Sequence, residues 1–208
     1  MKTRIFLFLF LAVIFNINKS YASFYEYNWT HDHPILLDYV RNNREDIINW
    51  TPIKLNISNQ YTQYIYETLK LEGVPKEIMI LAGIESGFRT DVVSHAQAVG
   101  MWQFLEATGR EWGLEINNLR DDRTDWKRST EAAAKYLKWM ANSHFDGNYE
   151  MAILAYNAGI GRIKRMSEEL NTNDPWFIIE HGTLPKESRE YLPKFLSFMH
   201  YYYHIKNS

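Results

Sequence analysis

The sequence predicts an all-α fold in a single domain, and three observations support this prediction. Apolar residues recur at helical spacing in several segments. These segments begin after capping residues or end at glycine, as helices commonly do. No stretch alternates apolar and polar residues over the length of a useful strand, and the chain contains no internal repeat or low-complexity tract.

The N-terminus is predicted to be a signal peptide. Lys2 and Arg4 precede an apolar run over residues 5–15, and Ser20 and Ala22 provide the small residues of a cleavage site. The run is shorter than the roughly 20 residues that a membrane-spanning helix needs. We therefore expect cleavage after Ala22, a periplasmic or secreted protein, and no stable membrane span after cleavage. An uncleaved signal anchor is the alternative.

Composition narrows the classes of function. The chain has no cysteine, which excludes disulfides, thiolate metal sites and a cysteine-linked lipid anchor. Loss of the predicted signal peptide would leave 20 basic against 25 acidic residues, a net charge of −5 that argues against binding to nucleic acid. The 14 tyrosines and 7 tryptophans suit either a sugar-binding groove or a large helical core.

Two helices are predicted in the first part of the chain. One is expected near residues 35–50, and Ser58 or Asn59 is expected to cap a second that runs through Leu71 and ends at Gly73. No role is assigned to the residues before this second helix. The predicted organisation is a signal peptide (1–22), an N-terminal segment (23–57) and a helical domain (58–208).

Four further helices are predicted after Gly73, with a loop over residues 113–126. The first begins at a proline, which fits the first turn of a helix, and the last contains a proline that should bend it. They are a helix from Pro75, a helix with Ala132, Ala133, Tyr136, Leu137 and Met140 on one face, a helix over Tyr149–Asn157, and a helix over Ser188–His204 with Pro193 inside.

Glu85 lies on the apolar face of its predicted helix. Ile78, Leu81, Ala82 and Glu85 follow at i, i+3, i+4 and i+7, which places the carboxyl group on the buried stripe. Burial disfavours the charged form and would keep a proton on the group near neutral pH, as a general acid requires. A glutamate held in a salt bridge within the core is the alternative.

Two further segments could supply a sugar-binding cleft. Residues 94–104 form a loop in which Gln103 offers a donor and an acceptor, while Trp102 and Phe104 offer flat apolar faces or core packing. Residues 155–159, Ala-Tyr-Asn-Ala-Gly, read as a helix end. Each segment alone is more easily explained by packing. A buried acid, a polar and aromatic loop and a Tyr-Asn helix end together indicate a glycosidic cleft.

These segments also resemble the motifs of a known family. Glu85-Ser86-Gly87-Phe88, Gly100-Met101-Trp102-Gln103 and the Ala155–Gly159 segment are similar, in order, to the three motifs of soluble-lytic-transglycosylase-type domains. The likeness extends from about residue 59 to 206, and the Leu184-Pro185-x-Glu187 stretch is most like the membrane-bound lytic murein transglycosylase D branch.

The resemblance implies a lysozyme-like fold and a lytic transglycosylase. Such an enzyme cleaves the β-1,4 bond between N-acetylmuramic acid and N-acetylglucosamine in peptidoglycan glycan strands and leaves 1,6-anhydromuramoyl ends. Glu85 would act as acid and then as base, without a cofactor or metal, while Tyr191 could equally be a packing residue. The resemblance further implies that substrate is bound by Ser94, Gln103, Tyr156, Asn157 and Glu187.

Other readings stay open. Asp91, Glu106 and Glu187 are the candidates for a second carboxylate of the kind that ordinary glycosidases need. His200 and His204 have the spacing of a zinc pair but lack the neighbouring acid of metalloproteases. The alternative functions are a goose-type lysozyme and a non-catalytic wall-binding or secretion-machine assembly protein. Partners in the cell wall or in a secretion machine are unknown.

Overall fold

The structure is a computed structural model that describes residues 27–205, with only the backbone described for residues 51–60, 204 and 205. The predicted signal peptide lies outside the described residues. The elements in chain order are α1 (Pro34–Asn42), α2 (Arg44–Glu72), a 3-10 turn (Lys76–Ile78), α3 (Met79–Ser86), α4 (Glu106–Glu111), β1 (Ile116–Asn117), β2 (Arg120–Asp121), α5 (Trp126–His144), α6 (Tyr149–Ala158), α7 (Ile160–Leu170), α8 (Pro175–His181) and α9 (Lys186–Ile205).

The first part of the chain differs from the prediction. The single helix expected over residues 35–50 is two helices, α1 and α2, separated where the backbone of Asn43 leaves the helical conformation (φ −118°, ψ 22°). The start expected at Ser58 or Asn59 is wrong, because α2 runs unbroken from Arg44 to Glu72. A capping residue type starts a helix only where the preceding backbone is not helical. The division expected between residues 57 and 58 therefore falls inside α2.

Residues before position 58 contribute to the hydrophobic core. Trp29, Leu36 and Ile47 are buried. The ring of Trp29 packs against Phe195 of α9 with 5.3 Å between centroids. The part of the N-terminal segment that the structure describes is thus packed on the helices that follow it.

The centre of the molecule is formed by α5 and α6. The apolar face predicted for α5 is confirmed, since Ala132, Ala133, Leu137 and Met140 are buried. In α6 the five consecutive residues 151–155 are all fully buried, so neighbouring elements cover every side of this helix. Of the described helices, α6 contacts α5, α7, α8 and α9.

Several short helices and strands of the structure are not predicted from the sequence. Helices α4, α7 and α8 have only 6, 11 and 7 residues, too short for a clear apolar period. The loop predicted over residues 113–126 contains the two-residue strands β1 and β2, which pair as an antiparallel hairpin. The capping side chain of Asp174, which accepts a hydrogen bond from Trp176 N, was the available signal for α8.

Helix α9 packs against several other helices and positions the C-terminal site residues. It begins two residues before the predicted start and contains Pro193, as expected. It contacts α1, α2, α3 and α6, which brings its first turns to the end of α3. Among the described helices, none is long and apolar enough to cross a membrane.

Candidate active site

Glu85 lies in the last turn of α3, at the edge of the core. The residues that precede it on the predicted stripe, Ile78, Leu81 and Ala82, are fully buried, whereas Glu85 is partly exposed. The helix ends because Gly87 adopts a left-handed conformation (φ 65°), which glycine tolerates without a steric cost. The carboxyl group therefore stands between the apolar interior and solvent.

The environment of Glu85 raises the pKa of its carboxyl group toward neutral pH. Burial raises the pKa of the carboxyl group from 4.5 to about 7. A hydrogen bond from Tyr191 and the positive charge of Lys194 act in the opposite direction because both favour the carboxylate, while the charge of Glu187 raises the pKa further. Both protonation states are therefore populated near pH 7, so the group can donate a proton and later accept one.

Helix α9 supplies three side chains that act on Glu85. The hydroxyl of Tyr191 donates a hydrogen bond to Glu85 Oε1. Glu187, Tyr191 and Lys194 follow at i, i+4 and i+7, which places them on one face of α9. The role of Tyr191 is open from the sequence, and in the structure it is the direct hydrogen-bond partner of Glu85. That spacing of three polar residues was the signal in the sequence.

Ser86 joins the end of α3 to the loop over residues 92–104. Its hydroxyl donates to Met101 O at 2.9 Å and accepts a hydrogen bond from Arg89 N at 3.1 Å. The side chain is buried, so these bonds are protected from water. The residue after the acid thus fixes the loop relative to the acid.

The loop itself is closed by Gly100 and Arg123. Gly100 has φ 82°, and a Cβ atom there would stand 1.8 Å from Arg123 O, so the approach of the two backbones requires glycine. The guanidinium of Arg123 donates to Gln97 O at 3.3 Å and to Phe104 O at 3.4 Å. It is held by Asp121 at 2.6 Å. The middle and the C-terminal end of the loop are therefore hydrogen-bonded to one cation.

Gln103 and Ser94 take part in the folding of this loop. Gln103 has a left-handed backbone (φ 50°), and its Nε2 donates to Val92 O at 3.2 Å and Gly100 O at 2.9 Å. Its Oε1 has no hydrogen-bond partner among the described residues. Ser94 Oγ accepts a hydrogen bond from Ala98 N at 3.0 Å. Each side chain keeps hydrogen-bonding capacity, an acceptor on Gln103 and a donor on Ser94.

The aromatic residues of the loop belong to the core. Trp102 is fully buried, and its indole N–H donates to Thr130 Oγ1 at 2.9 Å. Phe104 is also buried. Of the two roles considered for these rings, core packing is the one that the structure supports.

Tyr156, at the end of α6, connects the loop with the acid. Its hydroxyl donates to Trp102 O at 2.6 Å. Burial raises the pKa of Tyr156 well above its ordinary value, and the charge of Glu85 raises it further, so the two groups are close enough to interact. Glu187 interacts with Glu85 in the same way. In the described part of the chain, Ser94, Gln103 and Asn157 have no direct interaction with Glu85.

Two of the other carboxylates considered from the sequence have no electrostatic interaction with Glu85. Asp91 and Glu106 are exposed, and neither is among the groups that shift the pKa of Glu85. Glu106 pairs instead with Arg110 at 2.8 Å. Among the described side chains, those of residues 27–50 and 61–203, no cluster of three or more histidine and acidic side chains has the arrangement of a metal site. The side chain of His204 lies outside the described residues. His200 Nε2 lies 3.1 Å from Thr30 O.

The helical domain thus holds a partly buried carboxyl group, Glu85, at the end of a core helix, beside a loop that Ser86 and Tyr156 fix. The chain belongs to the transglycosylase SLT domain family, whose model matches residues 63–179. Glu85, the loop over residues 92–104 and Tyr156 lie within the matched residues. The family predicted from the three motifs is therefore confirmed.

Curated relatives and a solved structure agree with this assignment. The chain is 34% identical over 141 residues to "Membrane-bound lytic murein transglycosylase D" of Escherichia coli, which covers 66% of the chain and 30% of the relative. It is 29% identical over 143 residues to "Peptidoglycan transglycosylase gp16" of Escherichia phage T7, covering 68% of the chain and 10% of the relative. The chain thus spans less than a third of either protein.

The structural comparison concerns the fold. An inactive variant of the lytic transglycosylase Slt from Pseudomonas aeruginosa superposes with a TM-score of 0.59 at 23% identity, over 83% of this chain and 30% of that one. Together with the family match, it confirms the predicted all-α, lysozyme-like fold.

Proposed function

We propose that the protein is a lytic murein transglycosylase that cleaves the β-1,4 bond between N-acetylmuramic acid and N-acetylglucosamine. The observation that carries this proposal is Glu85, a partly exposed carboxyl group with a pKa raised to about 7 by burial. The names of the E. coli and phage relatives support the same reaction and the same substrate. The chemistry needs a single group that is first an acid and then a base.

In the first step, protonated Glu85 gives its proton to the glycosidic oxygen. The bond from that oxygen to C1 of N-acetylmuramic acid breaks, and the sugar on the other side leaves as an alcohol. The N-acetyl oxygen of the muramic acid residue stabilises the positive charge at C1. No second enzymatic carboxylate is then required as nucleophile, in contrast with ordinary retaining glycosidases.

In the second step, the Glu85 carboxylate accepts the proton of the C6 hydroxyl. The C6 oxygen bonds to C1, the N-acetyl oxygen is released, and a 1,6-anhydro ring forms. The enzyme regains its protonated acid, and no water is consumed. A pKa near neutrality suits both steps because neither protonation state is strongly disfavoured.

The surrounding residues have supporting roles in this proposal. Tyr191 is a positioning residue, since its hydroxyl orients Glu85 Oε1 and favours the carboxylate formed after the first step. Tyr156 fixes the Trp102 carbonyl at the base of the loop. We assign substrate binding to Ser94, Gln103, Tyr156, Asn157 and Glu187.

The substrate lies outside the cytoplasm, so the enzyme must reach the cell wall. We propose that residues 1–22 are a signal peptide and that the protein acts in the periplasm or after secretion. The negative net charge of the chain makes phosphate-rich polymers unfavourable ligands.

Product analysis tests the proposed function. The protein purified after export is incubated with intact sacculi, and the released muropeptides are identified by mass spectrometry. We expect 1,6-anhydromuramoyl ends from the wild type and no release above background from Glu85→Gln, which keeps the shape of the side chain but cannot exchange the proton. Glu106→Gln is the matched control, because Glu106 is an exposed glutamate outside the site.

Other results would support the alternatives. Reducing muramic acid ends would identify a goose-type lysozyme. Binding to sacculi with no release by the wild type would identify a wall-binding or assembly protein. Undiminished release by Glu85→Gln would contradict the role of this residue.

A further inference from the structure

A groove lies between α7 and the segment that leads into α9. It has a volume of about 640 Å³ and is open to solvent along one side. Arg162, Arg165 and Glu169 line it from α7, and Thr183 and Pro185 line it from the opposite segment. Met166 and Leu184, both buried, give it an apolar floor.

The arginines of this groove carry charges that the described residues do not pair. Neither Arg162 nor Arg165 forms an ion pair with any of the described residues, although Glu169 lines the same groove. Two cations against one carboxylate leave the lining with a positive charge. A guanidinium presents a planar set of donors that matches a carboxylate in a bidentate geometry.

The charges of α7 are not explained by the stability of the helix. Arg162, Lys164 and Arg165 stand in its first two turns, and Glu168 and Glu169 stand in its last turn. This order is opposite to the one that the helix dipole favours, namely acids near the N-terminus and bases near the C-terminus. The basic residues therefore weaken the helix slightly, and a ligand is a reason for their presence.

Both walls of the groove are continuous along the chain with segments that carry proposed site residues. α7 begins two residues after Ala158, at the end of the helix that carries Tyr156 and Asn157. Pro185 stands one residue before α9, which carries Glu187 and Tyr191. The six residues from Pro185 to Tyr191, the hydrogen-bond partner of Glu85, correspond to about 9 Å along a helix axis.

The geometry points to the peptide stem of the murein as the occupant. We infer that carboxylates of the acidic peptide attached to N-acetylmuramic acid bind Arg162 and Arg165 while the glycosidic bond lies at Glu85. This inference rests on the proposed function. An extended peptide covers about 3.5 Å per residue, so three residues span roughly 10 Å. The apolar floor fits the methyl groups and aliphatic chains of such a peptide.

The experiment compares one set of variants on two substrates. The substrates are peptide-bearing glycan strands and the same strands after enzymatic removal of the peptides, and the readout is the initial rate of cleavage against substrate concentration. The variants are Arg162→Gln, Arg165→Gln and the double substitution. Lys164→Gln is the matched control, since it removes the same charge from the same helix but does not line the groove.

The inference predicts a substrate-dependent loss. For the double substitution we expect the KM on peptide-bearing strands to rise about tenfold or more, the size expected for losing hydrogen bonds to a charged group, with little change in kcat. On peptide-free strands the KM should not change. Lys164→Gln should match the wild type on both. Peptide-bearing strands with amidated carboxylates should bind the wild type as weakly as peptide-free strands do.

Three results would overturn the inference. They are an equal loss on both substrates, no loss on either, and full affinity of the wild type for the amidated strands. Failure of the proposed function would be visible separately, as absence of cleavage by the wild type on both substrates. In that case the same comparison is made by co-sedimentation of Glu85→Gln with the two kinds of strand, where weaker binding of the peptide-free strands still tests the groove.

Discussion

Glu85 is partly buried and Glu150 is buried, and the surroundings of the two carboxyl groups are opposite in kind. Glu85 ends α3 and accepts a hydrogen bond from one side chain, Tyr191. Glu150 lies in the first turn of α6, and its two oxygens accept hydrogen bonds from Thr30 N at 2.6 Å, from Thr30 Oγ1 at 2.9 Å and from Trp176 Nε1 at 3.2 Å. Burial raises the pKa of both.

The partners of Glu150 explain what this residue does. Thr30 belongs to the N-terminal segment and Trp176 to α8, so one carboxyl group joins two distant parts of the chain to α6. With its acceptor capacity used by protein donors and only 4% of its surface exposed, it cannot reach a substrate. Glu150 is a structural residue.

The comparison shows that burial alone does not identify a catalytic acid. Both carboxyl groups are shielded from water, but both oxygens of Glu150 accept hydrogen bonds from protein donors, whereas Glu85 Oε2 accepts none from the described residues and Glu85 remains partly exposed. A carboxyl group whose acceptors are filled stabilises the fold, whereas one that keeps a free lone pair next to solvent can exchange a proton with a substrate. Four predictions test this distinction.

The largest expected difference is in activity. Glu85→Gln should lower the rate of release of anhydromuropeptides by about 10²–10⁴-fold, the usual contribution of general acid and base catalysis. Glu150→Gln should keep the rate within about tenfold of the wild type, because it leaves the site intact. Rates are measured under saturating sacculi, with folding checked by circular dichroism. Comparable losses in the two variants would remove the distinction.

The second prediction concerns stability, for which Glu150 rather than Glu85 is expected to be the more important residue. Glu150→Ala leaves buried donors of Thr30 and Trp176 without an acceptor, which should lower the free energy of unfolding by about 3 to 5 kcal/mol. Urea unfolding measures the change. Glu168→Ala is the control, since Glu168 is exposed and should change the value by less than about 0.5 kcal/mol. A Glu150→Ala protein as stable as this control would refute the structural role.

The third prediction concerns pH. Because folding raises the pKa of Glu85 from 4.5 to about 7, the folded state binds more protons than the unfolded state between these values, and stability falls as the pH rises through them. The loss amounts to about 3 kcal/mol and is complete above the folded pKa. Glu85→Gln has no ionisable carboxyl group at this position, so its stability lacks this pH-dependent contribution.

The stability of Glu85→Gln relative to the wild type should therefore increase by that amount from pH 4.5 to pH 8. Unfolding curves at several pH values measure it. A constant difference across this range would mean that the pKa of Glu85 is not raised.

The smallest effect is expected at Tyr191. Its hydroxyl favours the charged form of Glu85, so Tyr191→Phe should raise the pKa of the acid and move the basic limb of the pH profile of kcat/KM to higher pH. The rate at neutral pH should change only a few-fold. Tyr201→Phe, on the same helix but outside the site, is the control. An unmoved basic limb would show that Tyr191 only packs against the acid.

The parts of the fold that the sequence predicts well are those with a strong local pattern. The helix predicted over Tyr149–Asn157 is found close to those bounds, and the helical spacing around Leu137 is confirmed as part of α5. The helix start at Ser58 or Asn59 was wrong because the backbone before these residues is already helical, so neither of them can act as a cap. The short helices α4, α7 and α8 were missed because six to eleven residues carry too little periodicity.

The residues of the candidate site also divide into those that a local pattern identifies and those that it does not. Glu85 could be found because an acid on an apolar stripe conflicts with the local pattern. Tyr191 could not be assigned, because its partner is 106 residues away along the chain. The burial of Trp102 and Phe104 was also undecided, since an aromatic ring is equally compatible with a core and with a sugar platform.

By itself, the sequence determined the all-α class and the family and singled out Glu85 as the proposed acid, because helical periods and motifs are local properties of the chain. Only the tertiary structure decided which side chains surround Glu85, which of Glu85 and Glu150 has both oxygens hydrogen-bonded, and which arginines form no ion pair with the described residues. Burial, proton affinity and pairing depend on neighbours that are distant in sequence, and packing alone brings these neighbours together.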